Sequence, residues 1–453
     1  MVCLLLVAGI LVQGGLVGSA TSLSLSFAPS LRLARSAPSP HISLRPHGLR
    51  PGAVGRSRVT LWSDRRGLYE PTEPNQQGLL PVDDTHSLFY HVYGNSTSQH
   101  VALSLHGGPG AGSFPRHARF FDPKRCRVVL FDQRGCGSST PRGSIDNNDT
   151  PNLIADIERL RVHLNVSTWD IVLGGSWGST LALAYSQEYP ERVRAMVLRG
   201  VCLMRAKEIC WLFGPEGGCR ALLPRAYKEF VSDLLEHETV SCKTVLEAYS
   251  RRLFSSNTTT QGAAARRWLS WEYSVSSLHQ AAVLNATGTL SASSVVEWDG
   301  SRWLVDGKDE EELKAEARRR SSVTLTANTS KTNGNQSRPA PSAPYVPAQA
   351  MLTCWYSLHG GFLEEEAILQ PQRMERIRHI PCIAVQGAAD YICPPWTALD
   401  LHEAWPEMKL RLVAGAGHSM YDPEITSELV KATDFLLDRH TSDSGEGQEE
   451  ETS

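Results

Sequence analysis

Short runs of apolar and β-branched residues recur along the chain, and each run is followed by glycine, aspartate or histidine. They cover residues 101–105, 127–131, 171–173, 195–198, 382–385 and 410–413. Continuous apolar runs of this length are typical of strands that are buried on both faces of a parallel sheet. Between two runs, apolar residues spaced four, three and four apart indicate one face of a helix, namely Leu153, Ile157, Leu160 and Leu164. The alternation predicts an open α/β sheet, with ligands bound beyond the carboxyl ends of the strands.

The alternation of strands and helices stops near Cys202 and resumes near Pro381. Residues 203–355 are instead rich in helix-forming residues, tryptophan and charge. We therefore predict a helical cap, inserted between two parts of the core at residues 65–202 and 356–440.

A variable insertion is predicted within the cap, at residues 282–347. Two short runs, at residues 295–298 and 303–305, flank an Asp-Gly pair that favours a hairpin turn. Residues 309–320 are a charged helix candidate, and residues 321–347 are polar and rich in proline, serine and asparagine, which is typical of disorder. We interpret the segment as a surface insertion.

The first 64 residues are unlike the rest of the chain. Residues 2–12 form an apolar run that is too short to span a bilayer and fits the centre of a signal peptide. No acidic residue occurs before Asp64, and the intervening segment is rich in serine, arginine and proline, as transit peptides are. We predict a leader for an organelle, with a plastid as its destination. The alternative is a disordered extension or a wrongly assigned start, and the protein would then be cytoplasmic or secreted.

Composition and charge exclude several classes of function. The chain has 453 residues, of which 41% are hydrophobic and 21% charged, and its formal net charge is -3. This balance gives no electrostatic reason to expect nucleic acid as a partner. The 10 cysteines show neither CxxC pairs nor zinc spacing, and a chain of this size needs no disulfide scaffold. We expect no metal and no cofactor. Residues 441–453 are predicted to be an acidic, disordered tail.

A candidate nucleophile follows the third apolar run. Residues 174–178 spell GxSxG, with Ser176 at the centre, between a strand and a plausible helix. By chance this motif occurs with a probability of roughly 0.15 in a chain of this length. The prediction therefore depends on the position of the motif between a strand and a helix. A sharp turn between a strand and a helix exposes the serine hydroxyl. A Gly-rich turn without chemistry is the alternative.

Two further segments follow strands near the expected site. Residues 106–110, with the sequence HGGPG, lie where this kind of fold supplies a backbone donor to an oxyanion. We expect the oxyanion hole to consist of the N–H groups of Gly108 and Trp177, and we interpret His106 as structural. Asp132 and Arg134 follow the second run and are interpreted as a buried ion pair that holds their loop.

A hydroxyl nucleophile needs a general base, and the base needs a carboxylate that orients it. Asp390 comes shortly after the run at residues 382–385, and His418 comes shortly after the run at residues 410–413. The order Ser176, Asp390, His418 is that of the α/β-hydrolases. The sequence therefore predicts a catalytic triad on an α/β-hydrolase fold.

The motifs together resemble those of the prolyl aminopeptidases, also called proline iminopeptidases, a serine peptidase family of the α/β-hydrolase fold. The matching segments are HGGPGAG (106–112), FFDP (120–123), VVLFDQRGCGSS (128–139), GGSWGSTLALAY (174–185), PERV (190–193) and AGHS (416–419). With Asp390, Tyr391, Cys393 and Pro394, the similarity extends over about residues 69–438. The resemblance implies an exopeptidase that releases N-terminal proline, or sometimes another small residue, without a metal or cofactor. It also implies that Ser176, Asp390 and His418 are the triad.

An exopeptidase must also recognise the amine of its substrate, which is largely cationic near neutral pH. The resemblance assigns this role to a glutamate in a Trp-Glu pair, which matches Glu272. The family's second glutamate falls on Thr353 when the GGFL stretch at residues 360–363 is aligned. A threonine carries no charge, so we expect amine affinity and strictness for proline to depart from the family pattern. A carboxylate on the surface of a helix is the alternative for Glu272.

Three functions remain open from the sequence. The first is a serine exopeptidase that acts on short peptides with N-terminal proline. The second is an esterase or amidase of the same fold with relaxed amine recognition. The third is a non-catalytic ligand-binding protein, against which the intact triad and both oxyanion segments argue. Nucleic acid and stable membrane insertion after removal of the leader are not expected.

Overall fold

The computed structural model of the chain describes residues 65–278, 296–298, 303–305 and 347–443. The strands in these residues are β1 (Gln76–Pro81), β2 (Ser87–Gly94), β3 (Val101–Leu105), β4 (Arg127–Phe131), β5 (Ile171–Gly175), β6 (Met196–Arg199), β7 (Val296–Trp298), β8 (Trp303–Val305), β9 (Cys382–Gly387) and β10 (Lys409–Val413). The α-helices are α1 (Thr150–His163), α2 (Trp177–Glu188), α3 (Ala206–Phe213), α4 (Gly218–Leu222), α5 (Pro224–Phe230), α6 (Cys242–Leu253), α7 (Thr258–Ser276), α8 (Ala348–Leu358), α9 (Pro371–Glu375), α10 (Pro395–Ala404) and α11 (Pro423–Asp443).

Eight of these strands form one mostly parallel sheet in the order β1-β2-β4-β3-β5-β6-β9-β10. All six predicted strands belong to it, and they pair in parallel from β4 to β10 along that order. The sequence analysis missed β1 and β2, which are antiparallel additions at one side of the sheet. The signal available in the sequence was the spacing of Leu88, Tyr90 and Val92 at every second position, and all three are buried in β2. The α/β-hydrolase fold is confirmed.

The predicted helix before β5 is α1. Its first turn is capped by the side chain of Asp149, which accepts a hydrogen bond from the amide of Asn152. Leu153, Ile157 and Leu160 are fully buried on its inner face. A capped start and an apolar face are the two local features that stabilise an amphipathic helix against a sheet.

Both faces of the sheet are covered. Leu103 of β3 packs into a cluster that includes α1, α2 and the helices after β6, whereas its neighbour Ala102 packs into a cluster with α11. Successive side chains of a strand point to opposite faces. This burial on both sides explains why the parallel strands are continuous apolar runs rather than alternating ones.

The helices between β6 and β9 are held together by stacked aromatic rings. Phe213 stacks on Trp268 at 4.4 Å, Phe230 stacks on Tyr249 at 4.6 Å, and Phe230 stacks on Trp271 at 5.4 Å. Aromatic pairs of this kind add to the stability that burial already gives. The packing holds α7 against its neighbours.

The predictions for the insertion, the leader and the C-terminal tail concern segments that lie partly outside the described residues. β7 and β8 pair antiparallel with Trp298 opposite Trp303, which confirms the pairing of the two predicted runs, and the Asp-Gly pair between them lies outside the described residues. The helix candidate at residues 309–320 and most of the polar stretch after it lie outside the described residues, as does the leader. α11 continues to Asp443, so the first three residues assigned to the tail are helical. No helix in the described part of the chain is long and apolar enough to cross a membrane.

Candidate active site

The turn from β5 to α2 presents Ser176 in a strained conformation. Its backbone has φ +56° and ψ -126°, which costs energy for a residue that carries a Cβ. Two glycines allow the close approach of the chain: a Cβ on Gly178 would lie 2.2 Å from Leu105 O, and one on Gly174 would lie 2.2 Å from Gly178 O. The predicted sharp turn around Ser176 is confirmed.

Asp390 and His418 form a hydrogen-bonded pair beyond the ends of β9 and β10. His418 Nδ1 lies 2.8 Å from Asp390 Oδ2. Asp390 is buried, and its other oxygen accepts hydrogen bonds from the amides of Ile392 at 3.0 Å and Cys393 at 2.9 Å. A carboxylate only accepts hydrogen bonds, so Nδ1 carries the hydrogen and Nε2 keeps its lone pair. This is the tautomer that a general base requires.

A buried arginine lies on the other side of the His418 ring. Arg199 Nη1 donates to His418 O at 2.8 Å and lies 3.2 Å from His418 Nε2. Desolvation lowers the pKa of Arg199.

The hydroxyl of Ser176 is not bonded to His418 in the described residues. Ser176 Oγ instead lies 3.9 Å from Cys393 Sγ. The structure therefore brings Ser176 and His418 to one cavity without a hydrogen bond between them among the described residues. Such bonds often tighten only when substrate binds.

The HGGPG loop packs against the candidate nucleophile. A Cβ on Gly107 would lie 3.1 Å from Ser176 Cβ. Gly108 has φ +111°, a conformation that favours glycine. Gly108 and Trp177 border the same cavity as Ser176. The two residues that are predicted to supply the amide donors therefore border the same cavity as the candidate nucleophile.

His106 is structural, as the sequence predicts. Its Nε2 accepts a hydrogen bond from the amide of Gln133 at 3.1 Å, and its carbonyl oxygen accepts one from Gln133 Nε2 at 3.0 Å. Burial lowers the pKa of His106. The neutral His106 ring, through its hydrogen bonds with Gln133, links the loop after β3 to the loop after β4.

The predicted ion pair between Asp132 and Arg134 is wrong. Asp132 accepts hydrogen bonds from the amides of Ser113 at 2.6 Å and Ser138 at 2.7 Å. Arg134 instead donates two hydrogen bonds to Asp156 on α1, at 2.6 and 2.8 Å. Both residues hold their loop, but Asp132 is bound by backbone amides and Arg134 by the carboxylate of Asp156. The side chains of two residues that are two positions apart on a loop need not point in the same direction. The planar guanidinium group of Arg134 instead forms two hydrogen bonds with the two oxygens of the Asp156 carboxylate, which is the geometry it favours.

The cavity that Ser176 and His418 border has a volume of about 460 Å³. It lies between the carboxyl ends of the strands and the helices that follow β6, where an open α/β sheet binds its ligands. Among the described residues that border it, the carboxylates are Glu208 and Glu272. Glu208 is occupied, because it pairs with Arg205 and accepts a hydrogen bond from the amide of Leu203.

Glu272 is held in the cavity wall by the aromatic packing of α7. It lies one turn after Trp268, whose Nε1 donates to Glu272 Oε1 at 2.9 Å. Desolvation raises the pKa of Glu272 to about 8, against the opposing effect of this hydrogen bond. Without a cation beside it, the carboxyl group is therefore mostly protonated near neutral pH. A cation beside it would favour the ionised form.

Thr353 also borders the cavity, but its hydroxyl is directed at backbone carbonyls. Oγ1 lies 2.8 Å from Gln349 O and 3.0 Å from Pro109 O, and the residue is buried. A hydroxyl has one hydrogen to donate, so these two acceptors share it. The contact with Pro109 connects α8 to the loop that contains Gly108. The hydroxyl of Thr353 is therefore engaged by the backbone, whereas Glu272 is a carboxyl group of the cavity wall.

The sequence analysis missed Arg199, Cys202 and Cys393 as residues of this site. The cavity is bordered by all three. For Arg199, the available signal was a charged residue directly after a buried apolar run and directly before Gly200. The two cysteines carry no such signal, because buried thiols are common as small apolar groups. No group of three or more His, Cys, Asp or Glu side chains in the described residues could hold a metal ion.

A mostly parallel sheet that presents a serine on a strained turn, with a His-Asp pair beyond the later strands, defines an α/β-hydrolase. The family model described as alpha/beta hydrolase fold matches residues 103–211. The proline iminopeptidase of Arabidopsis thaliana is 38% identical over 373 residues, which cover 82% of this chain and 83% of the relative. The probable proline iminopeptidase of Leptolyngbya boryana is 36% identical over 376 residues, which cover 83% of this chain and 98% of the relative. The chain belongs to the proline iminopeptidase family.

A solved structure of a proline iminopeptidase from Mycobacterium smegmatis also matches, with a TM-score of 0.41 and 14% sequence identity. The match covers 81% of this chain and 99% of that one.

Proposed function

We propose that the chain is a serine aminopeptidase that releases N-terminal proline from short peptides. The observation that carries the proposal is a half-buried glutamate, Glu272, in the wall of the cavity that holds Ser176 and His418. In an N-terminal residue, the scissile carbonyl is separated from the amine by a single carbon. A carboxylate inside the nucleophile's own cavity therefore selects for the ends of chains. Membership of the proline iminopeptidase family supports the same substrate class.

In the proposed mechanism, substrate binding brings His418 Nε2 from Arg199 to Ser176 Oγ. His418 takes the proton of Ser176 as Oγ attacks the carbonyl carbon of the N-terminal proline. The amides of Gly108 and Trp177 donate to the oxyanion, and each such donor contributes a factor of roughly 100 to 1000. His418 then gives the proton to the departing amine. Water hydrolyses the acyl-enzyme by the same steps in reverse order.

The proposed role of Glu272 is to bind the protonated pyrrolidine nitrogen. The empty site holds a largely neutral carboxyl group, and the arriving cation shifts it to the carboxylate, which then accepts a charge-assisted hydrogen bond. Since Thr353 supplies no second charge, one carboxylate carries the recognition. We infer that amine binding is weaker here than at a site with two carboxylates.

A second candidate function is an esterase or amidase with relaxed amine recognition. The raised pKa of Glu272 favours this candidate, because a protonated carboxyl group tolerates a neutral substrate in the same place. Acylated substrates would then be cleaved as well as free amines.

One assay separates the two candidates: hydrolysis of a proline arylamide beside that of the same compound with its amine acetylated. An aminopeptidase prefers the free amine, and an esterase or amidase cleaves both at equal rates. Cleavage of the acetylated compound alone would contradict the proposed function.

Replacement of Thr353 by valine tests whether this residue binds the amine or supports the oxyanion loop. Valine has the same shape without the hydroxyl, so the link from α8 to Pro109 O is lost. A hydrogen bond of this kind is worth about 0.5 to 1.5 kcal/mol. We expect kcat/KM to fall by roughly 2- to 10-fold, equally for free and acetylated substrates, in steady-state assays. A loss confined to the free amine would instead assign Thr353 to amine binding.

We further propose that residues 1 to about 64 direct the protein into the secretory route and onward to a plastid. The apolar run and the acid-free, Arg- and Ser-rich segment support this proposal. Fused to a fluorescent reporter, the leader should place the reporter in the organelle and be removed near Asp64. A reporter that stays in the cytosol would exclude both targeting steps, and a secreted reporter would exclude the second.

A further inference from the structure

One buried arginine at the catalytic site forms no ion pair with a carboxylate in the described residues. Arg199 is only 7% exposed, and its Nη1 contacts the carbonyl oxygen and Nε2 of His418. Its Nε has no hydrogen-bond partner in the described part of the chain. The acidic group that attracts it most, Asp390, is bound to the opposite nitrogen of the His418 ring. A buried charge is costly unless it is paired, so Arg199 is suited to an anion from outside the chain.

The other buried arginines of the described residues are each paired with a buried or half-buried carboxylate. The pairs are Arg134 with Asp156, Arg161 with Glu158, and Arg205 with Glu208. None of these three arginines borders the catalytic cavity, whereas Arg199 does. Within this set, the arginine without a carboxylate partner is therefore the one that lies at the proposed substrate site.

The charges in the wall of the cavity match a substrate with a free group at each end. Glu208 is occupied by its salt bridge and by a backbone amide. Burial lowers the pKa of His117, which also borders the cavity, to about 4, so its ring is neutral near neutral pH. Apart from the catalytic histidine, this leaves Glu272 for a cationic amine and Arg199 for an anion. A free amine and a free carboxylate are the two ends of a peptide.

The position of Arg199 limits the length of that peptide. His418 gives its proton to the nitrogen of the leaving amino acid, so this nitrogen comes within hydrogen-bond distance of His418 Nε2. Arg199 Nη1 lies 3.2 Å from the same Nε2. In a C-terminal residue, the carboxylate carbon is two bonds from the nitrogen. The carboxylate of a dipeptide is therefore within reach of the guanidinium group, whereas the carboxylate of a longer peptide lies at least one residue farther away.

We propose that Arg199 binds the C-terminal carboxylate of the leaving amino acid, and that the preferred substrates are dipeptides of the form Pro-Xaa. The inference rests on the proposed function, whose substrate class it narrows. A carboxylate accepts the hydrogens of the guanidinium group, including the one that Nη1 otherwise directs at His418 Nε2. The lone pair of Nε2 is then free to take the proton of Ser176. The substrate carboxylate thus anchors the leaving residue and also releases the base.

The first test compares three substrates of the native full chain: Pro-Gly, Pro-Gly with an amidated C-terminus, and Pro-Gly-Gly. The amide lacks the carboxylate, and the tripeptide carries it one residue farther away. Released proline is measured by chromatography. We expect kcat/KM for Pro-Gly to exceed that for the other two by roughly 10- to 150-fold, as a charge-assisted hydrogen bond gives. Part of the gain should be in kcat, because the carboxylate releases the base.

Variants then assign the preference to Arg199. Arg199→Met removes the charge, and Arg199→Gln removes it while an amide can still donate to the carbonyl oxygen of His418. In both variants the ratio of kcat/KM between Pro-Gly and its amide should fall to about one, whatever the loss of activity that the two substrates share. Arg161→Met is the matched control, because it removes a buried arginine of α1 that does not border the cavity. This variant should keep the native ratio.

Three results would overturn the proposal. They are equal values of kcat/KM for Pro-Gly and its amide in the native chain, a preference that Pro-Gly-Gly shares, and a preference that survives in the Arg199 variants. Failure of the native chain to cleave these substrates and proline arylamide would instead contradict the proposed function. Calorimetric titration of Ser176→Ala, which should bind Pro-Gly more tightly than its amide, would still decide the carboxylate site in that case.

Discussion

Replacing Ser176 with alanine should abolish hydrolysis of proline arylamide, with a loss on the order of a million-fold in kcat. The substitution removes the nucleophilic oxygen, whose one polar contact in the described part of the chain is that with Cys393 Sγ at 3.9 Å. Alanine also carries a Cβ, so the strained backbone of the turn is equally costly in both proteins. We therefore expect a thermal midpoint close to that of the native chain.

The matched control for Ser176→Ala is Ser186→Ala. Ser186 lies on the same helix, α2, and its buried hydroxyl contacts the sulfur of Met196 at 3.1 Å. The same atom is removed at a distance from the cavity, so turnover should be retained. Near-native activity in Ser176→Ala would mean that another group attacks the substrate, and the interpretation of this turn would be wrong.

The second large effect is expected for Glu272→Gln with free-amine substrates. Glutamine keeps the shape of the side chain and can still accept the hydrogen bond of Trp268 Nε1, but it cannot carry the charge that a pyrrolidinium cation requires. A hydrogen bond to a charged group is worth about 1.5 to 3 kcal/mol. We therefore expect kcat/KM for proline arylamide to fall by roughly 10- to 150-fold at about 1.4 kcal/mol per decade, while the acetylated substrate is barely affected.

The stability of Glu272→Gln supplies the control that the variant is folded. In the folded chain, burial raises the pKa of Glu272 from 4.5 to about 8. The folded state thus holds a proton that the unfolded state has released, and the free energy of unfolding of the native chain falls as the pH rises through this window. Glutamine does not ionise. The variant should therefore be more stable than the native chain at pH 8, by about 1 to 3 kcal/mol once screening by water in the cavity is allowed for.

Denaturant titrations at pH 5 and pH 8 measure this difference. Equal losses of kcat/KM for free and acetylated substrates, in a variant that is less stable than the native chain at both pH values, would mean that Glu272 supports α7 rather than the amine. The assignment of Glu272 to substrate binding would then be withdrawn.

The sequence by itself determined the six parallel strands of the sheet, the turn that presents Ser176 and the order of the candidate triad. These features are local. A strand buried on both faces must be apolar throughout, so the run at residues 171–173 marks β5 without knowledge of its neighbours. A turn in which a Cβ on Gly178 would lie 2.2 Å from Leu105 O requires glycine at that position. Burial on both faces and the lack of space for a Cβ each restrict the residue types that a position can have. Such restrictions can therefore be recognised in the sequence.

The tertiary structure alone decided which side chains meet. Arg199 reaches His418 across 219 positions, and Thr353 reaches Pro109 across 244. Arg134 pairs with Asp156 rather than Asp132 because helix α1 presents a carboxylate that both arms of the guanidinium can reach. Such partners depend on distances and side-chain directions in the folded chain, and these leave no pattern at any fixed spacing along the sequence.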